Sequence, residues 1–333
     1  TPGIATRAPP TLGETMKEPR FRILALSGGG AMGAYTAGVL LSLEEAAGEA
    51  LYTKFDLIAG TSIGGILALA LAAEVPAPTI LDRLVESLPS IFRSRMKERG
   101  WGLASRAFAR PLRPLYGAEA LRRTIEALID PAMVMEDLST RVIVPSINLD
   151  TGDPVVFKTP HHETLGRRGD LVVEAALATS AAPVFFPPHT TSTGTFVDGG
   201  LIANAPDLLA LHEWRRFFRD DCAAVDMISI GTTTSKYTFP ANRRGSAGIF
   251  GWLQDLSILK TAMTAGQQLA QYMASQELGD EGFLRIDHEP SPEQATRFEL
   301  DAQDPDTIQE AVRLGRKSGA DIAPHPVARR VLA

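Results

Sequence analysis

The residues whose types and spacing could do chemistry are Gly60-Thr61-Ser62-Ile63-Gly64. A short apolar run, Phe55-Asp56-Leu57-Ile58-Ala59, leads in and reads as a buried parallel strand, and Ile66 to Ala73 leads out as a helix. A serine at such a turn, with a glycine two residues to either side, matches the nucleophile-elbow pattern. The glycines remove Cβ atoms that would collide in so tight a turn. The serine oxygen is carried to the carboxyl end of the sheet, near the positive end of the following helix. The chemistry implied is attack on an acyl carbonyl through a covalent intermediate. The plain alternative is a glycine turn with Ser62 as helix N-cap.

Such a nucleophile needs donors for a developing negative charge and a base for its own proton. Ser27-Gly28-Gly29-Gly30-Ala31-Met32-Gly33 follows the first predicted strand, Phe21 to Leu26, and precedes a helix over Ala34 to Glu45. Gly28, Gly30 and Gly33 fit the G-x-G-x-x-G fingerprint of a dinucleotide-binding oxidoreductase. That fingerprint wants an acid at the far end of the second strand, but Asp56 sits near its start and the strand ends in Gly60-Thr61-Ser62. The other reading makes the backbone N–H groups of Gly28, Gly29 and Gly30 an oxyanion hole. Two glycine turns after adjacent strands put donors and nucleophile on one sheet edge, which favours acyl chemistry. Asp198 closes a predicted strand from Thr195 just before Gly199-Gly200 and is a candidate partner for Ser62; a plain Asp-Gly turn is the alternative. His161-His162 suggests a metal, but no third ligand is placed by the sequence, so a polar surface loop is expected. No metal and no cofactor are expected.

The elements that must position these residues alternate. Strand, glycine loop, helix, strand, elbow and helix form a βαβα unit, which implies a parallel sheet covered on both faces. Pro76 to Phe92 and Gly117 to Ile129 read as amphipathic helices. Arg141 to Asn148 and Asp153 to Lys158 read as strands joined at Asp150-Thr151-Gly152. Helices follow over Asp170 to Ala178 and Ala205 to Phe218, with a buried strand over Val225 to Gly231. A long helical stretch runs to about Leu278, then an edge strand from Gly282 and a helix over Asp304 to Lys317. The fold class is α/β, a three-layer arrangement with a mostly parallel central sheet flanked by helices. Residues 1–20 are expected to form a flexible leader, 21–323 a single catalytic domain and 324–333 a loose tail.

The 333 residues are 44% hydrophobic, enough for a substantial core. One cysteine, Cys222, offers neither a disulfide framework nor a thiolate metal site. No apolar run is long enough to span a bilayer, and cytoplasmic residence is expected. The formal charge of −6 argues against binding a nucleic-acid polymer. Phe92 to Arg123 nevertheless carries a local excess of positive charge, including Arg106, Arg110 and Arg113, interleaved with Trp101, Phe108 and Tyr116. Such a stretch suits peripheral docking on an anionic membrane face, the inner membrane in this reading, with Ile249, Phe250 and Trp252 as a second apolar contact; the alternative is a solvated loop and helix with ordinary core anchors.

The glycine loop Ser27 to Gly33, the elbow Gly60 to Gly64, the stretch Ala178-Thr179-Ser180-Ala181-Ala182-Pro183 and the motif Asp198-Gly199-Gly200 through Asn204-Ala205-Pro206 resemble, in order and setting, the patatin-like phospholipases. The resemblance covers about Phe21 to Gly231. It implies a Ser-Asp dyad without histidine, with Ser62 as nucleophile, Asp198 as base, Gly28, Gly29 and Gly30 as the oxyanion hole, and Gly60, Thr61, Ile63 and Gly64 framing the elbow. Two positions depart from the family pattern: Ser27 replaces its aspartate and Met32 its basic residue. Phe157-Lys158-Thr159-Pro160-His161-His162, together with the alanine-rich helix to Phe186, is further similar to patatin-like effectors of bacterial anti-phage systems, which implies a cyclic dinucleotide activator, phospholipid membrane as substrate, a homo-oligomer, and a regulatory or oligomerising role for the part from about 232. The competing readings are an esterase or lysophospholipase on soluble esters, and a non-catalytic or nucleotide-sensing protein on an enzyme scaffold.

Overall fold

A computed structural model describes residues 19–93, 113–166, 169–233 and 257–333. The predicted docking residues Arg106, Arg110, Ile249, Phe250 and Trp252, and nearly all of the predicted leader, lie outside the described residues. The strands are β1 (Arg20–Leu26), β2 (Leu57–Gly60), β3 (Arg141–Asn148), β4 (Pro154–Lys158), β5 (His189–Thr191), β6 (Gly194–Asp198), β7 (Ala224–Ile230) and β8 (Phe283–Ile286). They form one sheet in the order β5-β6-β3-β2-β1-β7-β8, with β4 on β3. The pairings β3-β2-β1-β7-β8 are parallel, and those of β4, β5 and β6 are antiparallel.

Strand alternation divides the sheet between two cores. Phe21, Ile23 and Ala25 of β1 pack on one face with Leu211 and Trp214 of helix α7 (Asp207–Phe217). Leu24 and Leu26 pack on the other, with α1 (Gly33–Ala47), α2 (Ile63–Ala72), α3 (Ala77–Ile91), α4 (Glu119–Glu126) and α5 (Val172–Thr179). The helices continue with α6 (Gly200–Ala203), α8 (Ser257–Gly282), α9 (Pro292–Arg297), α10 (Pro305–Ile322) and α11 (Pro326–Leu332). α2 reads Ile-Gly-Gly-Ile-Leu-Ala-Leu-Ala-Leu-Ala and is buried on every side, so it has no polar stripe to reveal its orientation.

One topological detail fixes the site. Ile143 of β3 pairs with both β2 and β4, while Ser146 and Ile147 pair with both β4 and β6. A strand has two edges, so β6 lies along the edge that β2 leaves when it turns off after Gly60. Asp198, opposite Ser146, is thereby delivered to the turn at Ser62.

The structure corrects several expectations. Arg20, assigned to the leader, opens β1. The helix after the elbow begins at Ile63 rather than Ile66. β5 was not foreseen: His-Thr-Thr carries no apolar alternation and is ordered by pairing with β6. The tail is not loose. α11 buries Val327, Ala328 and Val331 completely, and Arg330 bonds Asp226 Oδ1 at 2.6 Å. Asp226 is 1% exposed on β7 and is held also by Arg20 at 2.8 Å. Removing one partner of a buried ion pair leaves charge uncompensated. Arg330→Ala is therefore expected to cost about 2 kcal/mol, Arg20 retaining part of the pairing, and to lower the melting temperature measured by differential scanning calorimetry.

Candidate active site

Ser62 sits between β2 and α2 with φ 56 and ψ −125. A positive φ at a non-glycine residue costs about 1–3 kcal/mol and persists only where neighbours enforce it. They do so here. Thr61 Oγ1 donates to Ala203 O at 2.6 Å, Thr61 N–H to Leu26 O at 3.1 Å, and Ser62 N–H to Thr179 Oγ1 at 3.2 Å. At Gly64 a Cβ would lie 2.3 Å from Leu26 O, so the turn closes only with glycine there.

Ser62 Oγ donates to Asp198 Oδ2 at 2.6 Å. The other carboxylate oxygen accepts the Gly200 N–H at 2.6 Å, so the acid is aimed by the start of α6. Asp198 is 4% exposed. Burial pushes its carboxyl up to about 6, against the lowering effect of the Ser62 and Gly200 hydrogen bonds. The group is thus mostly ionised at neutral pH yet far more basic than an ordinary aspartate. Among the described residues, none lining the surrounding cavity is a histidine.

The glycine loop faces the same point, with one correction. Gly28 N–H donates to Asn204 O at 2.9 Å, so it is not available to an oxyanion in this state. The N–H groups of Gly29 and Gly30 have no partner among the described residues. Met32 is 2% exposed in the core, so its place in the sequence brings no cation to the site. Ser27 Oγ accepts from Arg285 Nη1 at 3.1 Å.

Other site residues were not visible in the sequence. Asn204 Nδ2 donates to Gln267 Oε1 at 2.7 Å, tying α6 to α8. The segment 298–304 crosses the glycine loop: Leu300 O accepts the Ala31 N–H at 2.8 Å, and a Cβ on Gly30 would lie 2.1 Å from that same oxygen. Asp301, 1% exposed, accepts the Tyr116 hydroxyl at 2.5 Å. Asn204 closes the Asp198 motif, but its bond to Gln267, like the contacts of Leu300 and Asp301, joins positions distant in the chain.

Ser62 and Asp198 open into a cavity of about 100 Å³ lined by Ile66, Leu88, Ile91, Phe92, Phe185 and Phe186, with Met263 and Leu300 at its margin. The lining suits an acyl chain, but sites that enclose a drug-sized ligand measure roughly 300–1,000 Å³. Ser62 and Asp198 are in contact beside a cavity smaller than such sites. The paired histidines lie elsewhere. His161 is not on a surface loop as expected: its side chain is 2% exposed and its Nε2 is 2.9 Å from Glu213.

A serine on a strained strand-to-helix turn, facing a buried carboxylate at the carboxyl edge of a mostly parallel sheet, places the molecule among the α/β serine hydrolases. The family model described as Patatin-like phospholipase matches residues 24–211. A cGAMP-activated phospholipase of Vibrio cholerae is 34% identical over 90% of this chain and 90% of its own. One from Pseudomonas aeruginosa is 38% identical over 83% of this chain and 81% of its own. Human GIVD cytosolic phospholipase A2 aligns with 94% of this chain and 59% of its own at TM-score 0.45 and 13% identity. The chain belongs to the patatin-like phospholipase family, and its chemistry is ester hydrolysis.

Two measurements follow from this geometry. If Asp198 is the base, kcat/KM on a small soluble ester falls about tenfold per pH unit below about 6, where the carboxyl is protonated, and is level above it. If the strap over the glycine loop limits access, Tyr116→Phe, which removes the hydroxyl's bond to Asp301, raises basal hydrolysis several-fold in a steady-state assay.

Proposed function

We propose that the protein hydrolyses carboxylic ester bonds of membrane phospholipids through Ser62 and Asp198, and that a cyclic dinucleotide switches it on in anti-phage defence. The observation that carries this reading is the 2.6 Å contact of Ser62 Oγ with a buried carboxylate at the mouth of an apolar cavity. Asp198 takes the serine proton as Oγ attacks the carbonyl carbon. The tetrahedral oxyanion is held by the N–H groups of Gly29 and Gly30, joined by that of Gly28 if Asn204 O withdraws. Collapse breaks the ester C–O bond, and Asp198 returns its proton to the leaving alcohol. Water, deprotonated by the same carboxylate, then releases the fatty acid and restores Ser62.

Three things support the regulated form of this reading. The acyl cavity, at about 100 Å³, is smaller than sites that enclose a drug-sized ligand. A first oxyanion donor is occupied. Relatives over most of the chain are named cGAMP-activated and, at 31% identity over 63% of this chain, cUMP-AMP-activated phospholipases. The enzyme acts from the cytoplasm on the inner membrane face, with the basic segment around Arg113 as its contact, and a homo-oligomer belongs to the same reading.

Fatty-acid release from anionic phospholipid vesicles, with and without cGAMP or cUMP-AMP, tests it. Release by wild type with nucleotide, reduced at least a thousandfold in Ser62→Ala and Asp198→Ala, is expected. Activity surviving Ser62→Ala sinks the dyad. Cleavage of small esters alone, without release from vesicles, favours the soluble-esterase alternative.

A further inference from the structure

A second cavity lies at the opposite end of the sheet from Ser62. At the amino ends of the parallel strands a groove of about 910 Å³ is lined by residues that include Arg22, Tyr52, Asp56, Arg141, His161 and His162. Its volume matches sites for ligands of drug size or larger, and its walls are polar, unlike the acyl cavity.

The walls are built rather than incidental. His161 Nε2 lies 2.9 Å from Glu213 Oε1 and its Nδ1 lies 3.0 Å from Thr159 Oγ1. Glu213, buried in α7, also receives Lys158 Nζ at 2.8 Å. Burial alone would raise the Glu213 carboxyl, but the His161 and Lys158 hydrogen bonds outweigh it and hold it below the usual range. The imidazole is therefore fixed by a carboxylate behind it. The ring of His162 packs on Phe217 at 4.7 Å between centroids, and the Arg141 guanidinium lies 5.0 Å from the centroid of Phe218. Arg22 Nε and Nη2 lie 3.2 and 3.3 Å from Asp56 Oδ2 and Oδ1, so this guanidinium fork is engaged by the carboxylate, with both groups partly exposed to the groove.

Flat rings, two guanidinium groups and carboxylates in one polar groove are the recognition chemistry of nucleotides. Rings stack on bases, guanidinium groups take phosphate oxygens in a fork, and a carboxylate accepts from exocyclic base amino groups. The dimensions admit two linked nucleotides. The position matters equally. Arg22 is on β1, Asp56 immediately precedes β2, and Arg141 opens β3. The same three strands lead to the glycine loop, to Ser62 and to Ser146, which pairs with Asp198 near the end of β3. A ligand bridging their starts would act on strands whose other ends, about 15 Å away at about 3.3 Å per residue, carry the donors, nucleophile and base.

We propose that this groove is the binding site of the cyclic dinucleotide activator. The assignment rests on the activated-phospholipase reading given above. Its phosphates are taken by Arg141, the exposed guanidinium of the lining, and its bases by the faces of Tyr52 and His162.

Isothermal titration calorimetry of the full chain with cGAMP, cUMP-AMP, cyclic di-AMP and cyclic di-GMP tests it. The proteins are wild type, Ser62→Ala, Arg141→Glu and His162→Ala, with melting temperatures as the control for folding. At least one nucleotide is expected to bind wild type and Ser62→Ala alike, and to bind Arg141→Glu and His162→Ala at least tenfold more weakly. If either groove variant fails to fold, the other carries the comparison. Wild-type affinity kept within twofold in the folded groove variants overturns the groove while leaving the activator reading intact. No binding of any of the four nucleotides to wild type overturns the activator reading and the groove together.

Discussion

A carboxylate out of water, 2.6 Å from a serine hydroxyl, is the interaction on which the rest of the structure depends. Asp198 can serve as a direct base only if burial raises its proton affinity, and burial is tolerable only if its oxygens are bonded. The Gly200 N–H supplies one bond and Ser62 the other. The strand arrangement follows from the same need. A wholly parallel sheet would have left the edge of β3 beside Ser146 empty, whereas the antiparallel β6 brings Asp198 there. The strained backbone at Ser62 is a second cost, offset by a shell of hydrogen bonds from Thr61 and Thr179 and by glycine at Gly64.

Assembly of the reacting pair and access to it are separate matters here. The pair is in contact, while the acyl cavity is small, the Gly28 N–H is engaged by Asn204, and Leu300 lies on the glycine loop. α8 reaches this arrangement through Gln267 and Asn204, and the 298–304 segment reaches it through Asp301 and Tyr116. Both elements come after Gly231, where the catalytic motifs end.

The elbow, the glycine loop and the main parallel strands were legible in the sequence for a physical reason. Buried parallel strands are short apolar runs, and the turns after them need glycine whatever the rest of the chain does. Arg141 to Asn148 was delimited correctly for the same reason, bounded by a polar turn at one end and a surface arginine at the other. What was not legible depends on partners far along the chain. The buried state of His161 requires Glu213, 52 residues on. The capping of Gly28 N–H is a main-chain contact that no side chain announces. α11 carries Arg329 and Arg330 and reads as a polar tail until Asp226 is found beneath it.

The contact between Leu300 O and the glycine loop has a kinetic meaning. Both sides of it are main chain: a carbonyl oxygen against the Cα of Gly30 and the N–H of Ala31. A barrier made of side chains is breached by rotamer flips on the picosecond to nanosecond scale, whereas displacing a loop takes on the order of nanoseconds to microseconds or longer. For an ester hydrolase in the presence of its substrate, every opening is an opportunity for turnover. A latch of backbone against backbone filters out the fastest fluctuations and leaves leakage to concerted motion of the strap.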